Sequence, residues 1–460
     1  MKKLFFLLVA MVSISLPAHA ILKIDITSGS AEPLPIAIVA QPGMGAAVSR
    51  VAQNIQTVVN NNLIRSGLFR TINENAYIEK PENMVALPRF ADWKLINADA
   101  LVTLKPTVMA SGDVRVEFRL WDTVREQQLI GRYYSAPQGV WRRIAHIISD
   151  DIYQRLTGDT GYFDTQIVYI SETGSNKGKT TRLAIMDQDG ENHRFLTEGQ
   201  NLVLGPRFSP KEQQITYLSY FNNTPRAYLF NIETGEQEPV GDFPGMTISP
   251  RFSPDGNKIV LSAKMESNLG KEGGFEIYSM DLRTRITNRL TNNTWMDISP
   301  SFSPSGKQIA YNSKKPGCPM LYVMNSDGSD PKRISYHKEN GKQLRCGAIY
   351  TTPVWSPRGD LIAFTKQYKG QFYIGVMRTD GSKERLLAHP QMPDSFHAEG
   401  PTWSPNGRII MFYRKDPVRA DGSGGISRLY SIDLTGRSFR QVVTPLEGSD
   451  PAWSPLRTVK

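Results

Sequence analysis

The sequence predicts a mostly-β fold, a six-bladed β-propeller preceded by a small α/β domain. Three observations predict it. A phrase of the form Pro-x-aromatic-Ser-Pro, often continued by x-Gly, recurs six times. Its spacing is that of a four-stranded blade. The residues ahead of the repeats alternate strand and helix patterns instead.

The phrase stands at Pro206–Pro210, Pro250–Gly256, Pro300–Gly306, Pro353–Gly359, Pro401–Gly407 and Pro451–Pro455. Its aromatics are Phe208, Phe252, Phe302, Trp355, Trp403 and Trp453, spaced 44 to 53 residues apart. Ser-Pro-x-Gly reads as a type I turn, with Pro presetting φ at the second position. Alternating apolar segments follow the turns, such as Ile259-Val260-Leu261 and Ile309-Ala310-Tyr311. Third strands are expected at Leu183–Asp187, Ile277–Asp281, Leu321–Asn325 and Leu429–Asp433. Short fourth strands are expected at Arg194–Leu196, Arg289–Thr291, Lys332–Ile334 and Arg385–Leu387.

Strand counting sets the closure. Six aromatic first strands exist, but six second strands exist only if Ile167–Ile170 is included, and it precedes every first strand. The strand at Trp453 is therefore expected to pair with strands from 167 to 197, closing the ring by its two ends and removing free edges.

Strand alternation then sorts the loops. First-to-second and third-to-fourth turns share one face of the disc and are tight here. Second-to-third loops and blade crossings share the other face and are long: Glu172–Thr180, Met265–Gly274, Lys314–Pro319, Lys415–Ser427 and the crossing Tyr336–Thr352. Elaboration confined to one face marks a binding face. Its mouth is expected from Leu204-Gly205, Thr247-Ile248-Ser249, Asp297-Ile298-Ser299, Thr351-Thr352, Glu399-Gly400 and Ser449-Asp450. Cys318 and Cys346, the two cysteines, fall in loops of this face and are a disulfide candidate.

Residues 33–157 read as the α/β domain. Ile36–Val39 is a strand, and Val48, Val51, Ile55, Val58 and Val59 share a helical face. Leu101–Lys105 and Val114–Leu120 are strands, and Ile144 to Leu156 forms a second amphipathic helix. Residues 158–166 are a linker, and 167–460 the propeller. Pro42-Gly43-Met44-Gly45 lacks the third glycine of a dinucleotide loop, since Val48 stands there, so it reads as a strand-to-helix turn.

The start of the chain is an address. Lys2 and Lys3 precede the apolar run Leu4–Leu16, and Ala18-His19-Ala20 is a small-x-small cleavage site. Residues 1–20 are expected to be a signal peptide cleaved near Ala20, and 21–32 a flexible partner-binding segment. Without Lys2 and Lys3 the net charge falls from +10 to +8. No basic helix or zinc-finger spacing turns that charge into a nucleic-acid site. No Gly-x-Ser-x-Gly elbow or His-Glu-x-x-His occurs, so neither an enzyme nor a cofactor is expected. Asp187-x-Asp189-Gly190 lacks the further ligands of a calcium loop, and Asp297, Glu399 and Asp450 without a His make a weak metal set, so no metal is expected. A monomer without membrane insertion is expected.

The order of parts resembles the TolB family of periplasmic Tol–Pal propellers, through the signal peptide, the segment Leu156-Thr157-Gly158-Asp159-Thr160-Gly161-Tyr162-Phe163, the strand Ile167–Ser171 and the six Ser-Pro blades. The resemblance covers nearly the whole chain. It implies a periplasmic protein that binds the peptidoglycan-associated lipoprotein Pal through the propeller mouth. It also implies binding of inner-membrane-anchored TolA through the mature N-terminus, in support of outer-membrane integrity and constriction during division. The family's Pal contacts match Met246, Thr247, Ser249 and Ile298, and with the neighbouring mouth positions Asp297, Ser299, Thr351, Thr352 and Glu399 they form the expected Pal site. The TolA segment matches Ile21–Gly29, within which Leu22, Lys23, Ile24, Asp25 and Ile26 alternate as a strand for addition to a partner would. A periplasmic propeller enzyme of lactonase or hydrolase type is the alternative.

Overall fold

Each Ser-Pro-x-Gly phrase folds as its chemistry requires. The N–H of Gly256, Gly306, Gly359 and Gly407 donates to the carbonyl of the Ser three residues earlier at 2.8–2.9 Å. Those four glycines all have φ between 67° and 79°, the left-handed region that closes the turn. Every such turn joins two antiparallel strands, and that repeated hairpin builds the molecule. A computed structural model describes residues 32–84, 87–174, 178–243, 245–264, 274–339, 342–344, 346–387, 397–417, 424–436 and 438–457.

The α/β domain comes first. Its strand β1 (Leu34–Ala40) leads to the helix α1 (Ala46–Arg65), then β2 (Phe69–Thr71), a short α2 (Phe90–Leu95), β3 (Ala100–Val108), β4 (Val114–Asp122), β5 (Gln127–Ala136) and α3 (Trp141–Thr157). The sheet order is β2-β1-β3-β4-β5, with β1 parallel to β2 and β3, and the rest antiparallel. Both long helices bury one apolar stripe, Ile55, Val58, Val59 and Leu63 in α1 and Ile144, Ile148, Ile152 and Leu156 in α3. The α3 helix ends at Gly158, whose φ of 80° makes the left-handed cap.

Six four-stranded sheets follow. Five are continuous in sequence, their first strands being Val203–Phe208, Thr247–Phe252, Asp297–Phe302, Ile349–Trp355 and His397–Trp403. The sixth joins the chain ends: Glu447–Trp453 pairs antiparallel with Gln166–Thr173, Trp453 opposite Ile167, and Thr180–Asp187 and Arg194–Phe195 complete the sheet. The fold is thus a six-bladed propeller with an N-terminal α/β domain.

Three features of the propeller differ from expectation. A hairpin, His337–Glu339 with Lys342–Leu344, rises inside the crossing between the third and fourth continuous strand sets. The fourth strand expected at Arg289–Thr291 lies earlier, at Thr287–Arg289, because Thr291 instead caps the third strand by accepting from the Ile277 N–H at 2.9 Å. The first strands also start upstream of their prolines. Thr247 and Asp297, expected in loops, begin strands.

The segment expected as a linker is packed. Tyr162, Phe163, Asp164 and Thr165 are all buried. One apolar cluster runs from Ile36, Leu63 and Phe118 through Tyr162 and Phe163 to Ile167, Met411 and Trp453, so the domain and the closing blades share a core.

Candidate functional site: the propeller mouth

All six first strands carry the same irregularity. Their register with the second strand slips at the residues flanking the phrase's first proline. The residue before that proline has positive φ in every blade: Gly205 55°, Ser249 54°, Ser299 57°, Thr352 48°, Gly400 65° and Asp450 48°. Four of these are not glycine, and pre-proline residues ordinarily avoid compact backbone conformations. Four strained non-glycine positions in a ring of six imply that the surrounding blades fix them, and such strain concentrates at binding and switch sites. The bulges present these residues at the mouth.

The expected mouth residues divide by burial. Met246, Ser249, Ile298, Ser299, Thr351, Thr352 and Glu399 are half-buried. Thr247 is only 2% exposed, and its Oγ1 accepts from the Ala227 N–H at 2.8 Å, so it ties two blades together rather than facing a partner. Asp297 is 1% exposed; its Oδ2 accepts from Asn293 Nδ2 at 2.7 Å. Of the three acids considered as converging, Asp450 and Glu399 are electrostatic neighbours, while Asp297 belongs with Glu276. Leu22, Lys23, Ile24, Asp25 and Ile26 lie outside the described residues. Cys318 and Cys346 form a disulfide with Cα atoms 5.9 Å apart, anchoring the loop before the fourth first strand, Ile349–Trp355.

The sequence reading missed the charge network behind the mouth. Burial pushes the Asp450 carboxyl up, while the guanidinium of Arg207 and a hydrogen bond from the Gly205 N–H pull it down. Burial pushes Arg207 down to about 10. Tyr413 donates to Glu399 Oε2 at 3.0 Å, and burial together with Asp450 and Glu399 pushes its phenol upward. Lys179 Nζ bridges Glu172 Oε2 and Glu447 Oε2, each at 2.7 Å, and Ser449 donates to Glu172. The x of Pro-x-aromatic was the available signal: Arg207 and Arg251 stand there, whereas Ser301 and Thr402 accept from the backbone N–H of the neighbouring Trp355 and Trp453. The position faces the adjacent blade.

A second polar cluster lies between the domains. His146 Nε2, Asp187 Oδ2 and Asp189 Oδ2 fall within 4.8 Å of one another. Asn62 Nδ2 donates to His146 Nδ1 at 2.9 Å, which leaves the proton on Nε2, the atom a metal would need. Arg142 binds Asp189, and Arg457 stands 3.7 Å from Asp187. The carboxylates are already neutralised, so this set is an interdomain hydrogen-bond network rather than a metal centre.

The α/β domain docks on the tight-turn face. Asp159 binds Arg358 and Arg408, and Thr160 accepts from Asn406 Nδ2 at 3.0 Å. Those partners sit in or beside Ser-Pro-x-Gly turns. Gln188, in a third-to-fourth turn, donates to Asn62 Oδ1 at 3.1 Å. The mouth opens on the opposite face. Among the described residues no helix is long and apolar enough to cross a membrane.

Comparison with known proteins agrees with this architecture. Residues 22–129 match the model of the TolB amino-terminal domain, and residues 153–457 that of the TolB beta propeller domain. The chain is 53% identical over 441 residues to the Tol-Pal system protein TolB of Paramagnetospirillum magneticum, covering 96% of this chain and 94% of the relative. It superimposes with a TM-score of 0.76 on the crystal structure of TolB from Acinetobacter baumannii, at 26% identity, covering 92% of this chain and 97% of the other. With both domains matched, in order, across nearly its whole length, the chain belongs to the TolB family of Tol–Pal system proteins.

Proposed function

We propose that this protein is the periplasmic interaction component of its Tol–Pal system, holding Pal at the propeller mouth and TolA through the segment at Ile21–Gly29. In this role it links the inner membrane to peptidoglycan-bound lipoprotein and supports outer-membrane integrity and constriction. The carrying observation is the ring of six bulged first strands, opening on the face that the α/β domain leaves free. Half-buried Ile298 and Thr351 on neighbouring blades supply contact area, and the acids around Asp450 supply hydrogen-bond acceptors. The two partner sites draw on different residues, so one can be removed by substitution without touching the other.

Titration calorimetry against purified Pal tests the mouth. Thr247 is unsuitable for substitution because it is an interior tie. Ile298→Arg with Thr351→Arg introduces two cations into a desolvated interface, which weakens binding by about 100-fold or more. Ser305→Arg, on the tight-turn face, leaves affinity unchanged. Removing residues 21–29 abolishes TolA capture and preserves Pal binding. Wild-type Pal affinity in the mouth variant, or undiminished TolA capture by the truncated chain, refutes the respective assignment.

A further inference from the structure

The α/β sheet ends in an open edge. β5 runs ten residues from Gln127 to Ala136, pairs with β4 on one side, and has no strand on the other among the described residues. Gln127, Gln128, Gly131, Arg132, Tyr133 and Ser135 are exposed along it. Such an edge presents a row of unpaired backbone donors and acceptors, and soluble proteins usually cover or shorten it. Here it stays long, and a groove of about 650 Å³ runs beside it, walled by Leu129–Arg132 and by Asp151, Gln154 and Arg155 of α3. The groove ends at Gly158, where the chain leaves for the propeller.

The charges flanking the edge have one sign to spare. In the groove, Asp151 is already occupied by Arg132 at 2.5 Å and by the Tyr134 hydroxyl at 2.6 Å. Arg155 is half-buried there; its Nε reaches the Leu129 carbonyl at 3.4 Å, and it makes no ion pair among the described residues. On the other face of the sheet Arg115 lies 3.6 Å over the exposed Tyr133 ring and also makes no ion pair among the described residues. The nearby carboxylate of Glu117 is taken by Arg119 at 2.6 Å. A strand added outside β5 would send alternate side chains to these two faces. It would meet an uncompensated guanidinium on each, with the half-buried Leu129 and Ile130 between.

We propose that the free edge of β5 is a second docking site, taking an extended acidic segment of a partner protein by strand addition. The occupant is acidic because both faces offer cations whose local carboxylates are spent. It is a single segment rather than a second copy of this edge. Antiparallel pairing of β5 with itself would bring Arg132 close to its own copy, and the register break between Leu120 and Trp121 bends the strand against a broad joint. The site uses none of the residues of the expected mouth.

Fluorescence anisotropy on the chain from Ile21 onward tests it, with a labelled ten-residue peptide alternating glutamate and valine. Saturable binding is expected, with none to the matching lysine–valine peptide. N-methylation of alternate residues should abolish binding in one of the two sets and spare the other, since a strand pairs through one edge only. Arg155→Glu and Arg115→Glu should each weaken binding by about tenfold. Hydrogen exchange should slow at β5 amides on binding. No binding, equal tolerance of both methylation patterns, or indifference to both charge reversals overturns the proposal. A large gain in peptide affinity on removing residues 21–31 also overturns it, by making the chain's own segment the occupant.

Discussion

Trp453 closes the ring, and its replacement measures what closure contributes. The indole is 9% exposed and sits 5.9 Å from the Tyr162 ring, edge to face. Its Nε1 donates to Thr165 Oγ1 at 2.8 Å, and its backbone N–H to Thr402 Oγ1 at 3.2 Å. Trp453→Ala removes roughly 200 Å² of buried apolar surface, worth about 5 kcal/mol at 25 cal/mol per Å². The usual range for such truncations is about 3–5 kcal/mol. Trp453→Phe keeps most of the ring area but leaves the Thr165 hydroxyl short of a donor, a cost of about 1–2 kcal/mol. Urea unfolding followed by near-ultraviolet circular dichroism should rank wild type, Phe and Ala in that order. Hydrogen exchange should also accelerate across Gln166–Thr173, the strand that Glu447–Trp453 covers. Phe208→Ala, at the same place in the next blade, should leave exchange at Tyr162–Thr165 unchanged, because Phe208 packs in a cluster without those residues. If Trp453→Ala unfolds within 1 kcal/mol of wild type, or exchange at 166–173 is unaffected, the closure reasoning fails.

Two further outcomes follow from the disulfide and from a buried histidine. Reducing Cys318–Cys346, or replacing both by Ser, frees a loop with a sequence separation of 28 and should cost about 3–4 kcal/mol on the chain-entropy view, read as a lower melting temperature with reductant than without. Burial holds His146 at about 3, below its ordinary 6.5, with Asp187, Asp189, Arg142, Arg457 and Arg65 around it, so its contribution is complete above pH 6.5 and is lost as pH falls toward 3. Wild type should therefore lose about 2–3 kcal/mol more than His146→Gln between pH 7 and pH 4.5, and parallel curves would refute the role.

The blades were legible because their signals are local. Ser-Pro-x-Gly dictates a turn and the following Ile-Val-Leu a strand, whatever surrounds them. Closure was legible by counting, since six first strands need a sixth second strand and only Ile167–Ile170 remained. β5 was missed for a physical reason. Its residues Gln127-Gln128-Leu129-Ile130-Gly131-Arg132 alternate poorly, because an edge strand beside a groove has little interior to satisfy. The first-strand starts were legible along the chain, but the burial of their side chains was not. Thr247 and Ile298 look equivalent in sequence, being one residue apart in phase, yet strand pleating sends the first inward to the Ala227 N–H and leaves the second half-exposed. The pairing of Arg207 with Asp450 was invisible because it joins the first continuous blade to the last strand of the chain.

The placement of the α/β domain leaves the proposed Pal site free. Asp159 grips Arg358 and Arg408, Asp164 grips Arg143 and Arg457, and Asn62 accepts from Gln188, all at tight turns or the chain end on one face. Tight turns suit this use, since their backbone is fixed by Pro and Gly and their side chains stand at constant positions. Had the domain docked on the loop-rich face, it would have covered the ring of bulges. Docked where it is, it shares a core with the closing blade through Tyr162, Phe163 and Trp453 while the mouth stays open. That core contact also places the closing strand between the two ends of the molecule. Trp453 touches the segment leaving α3, and three residues upstream in the same strand Asp450 faces Arg207 at the mouth. The seven-residue strand Glu447–Trp453 thus carries at one end a residue of the proposed Pal site and at the other the side chain that packs on the segment leaving α3.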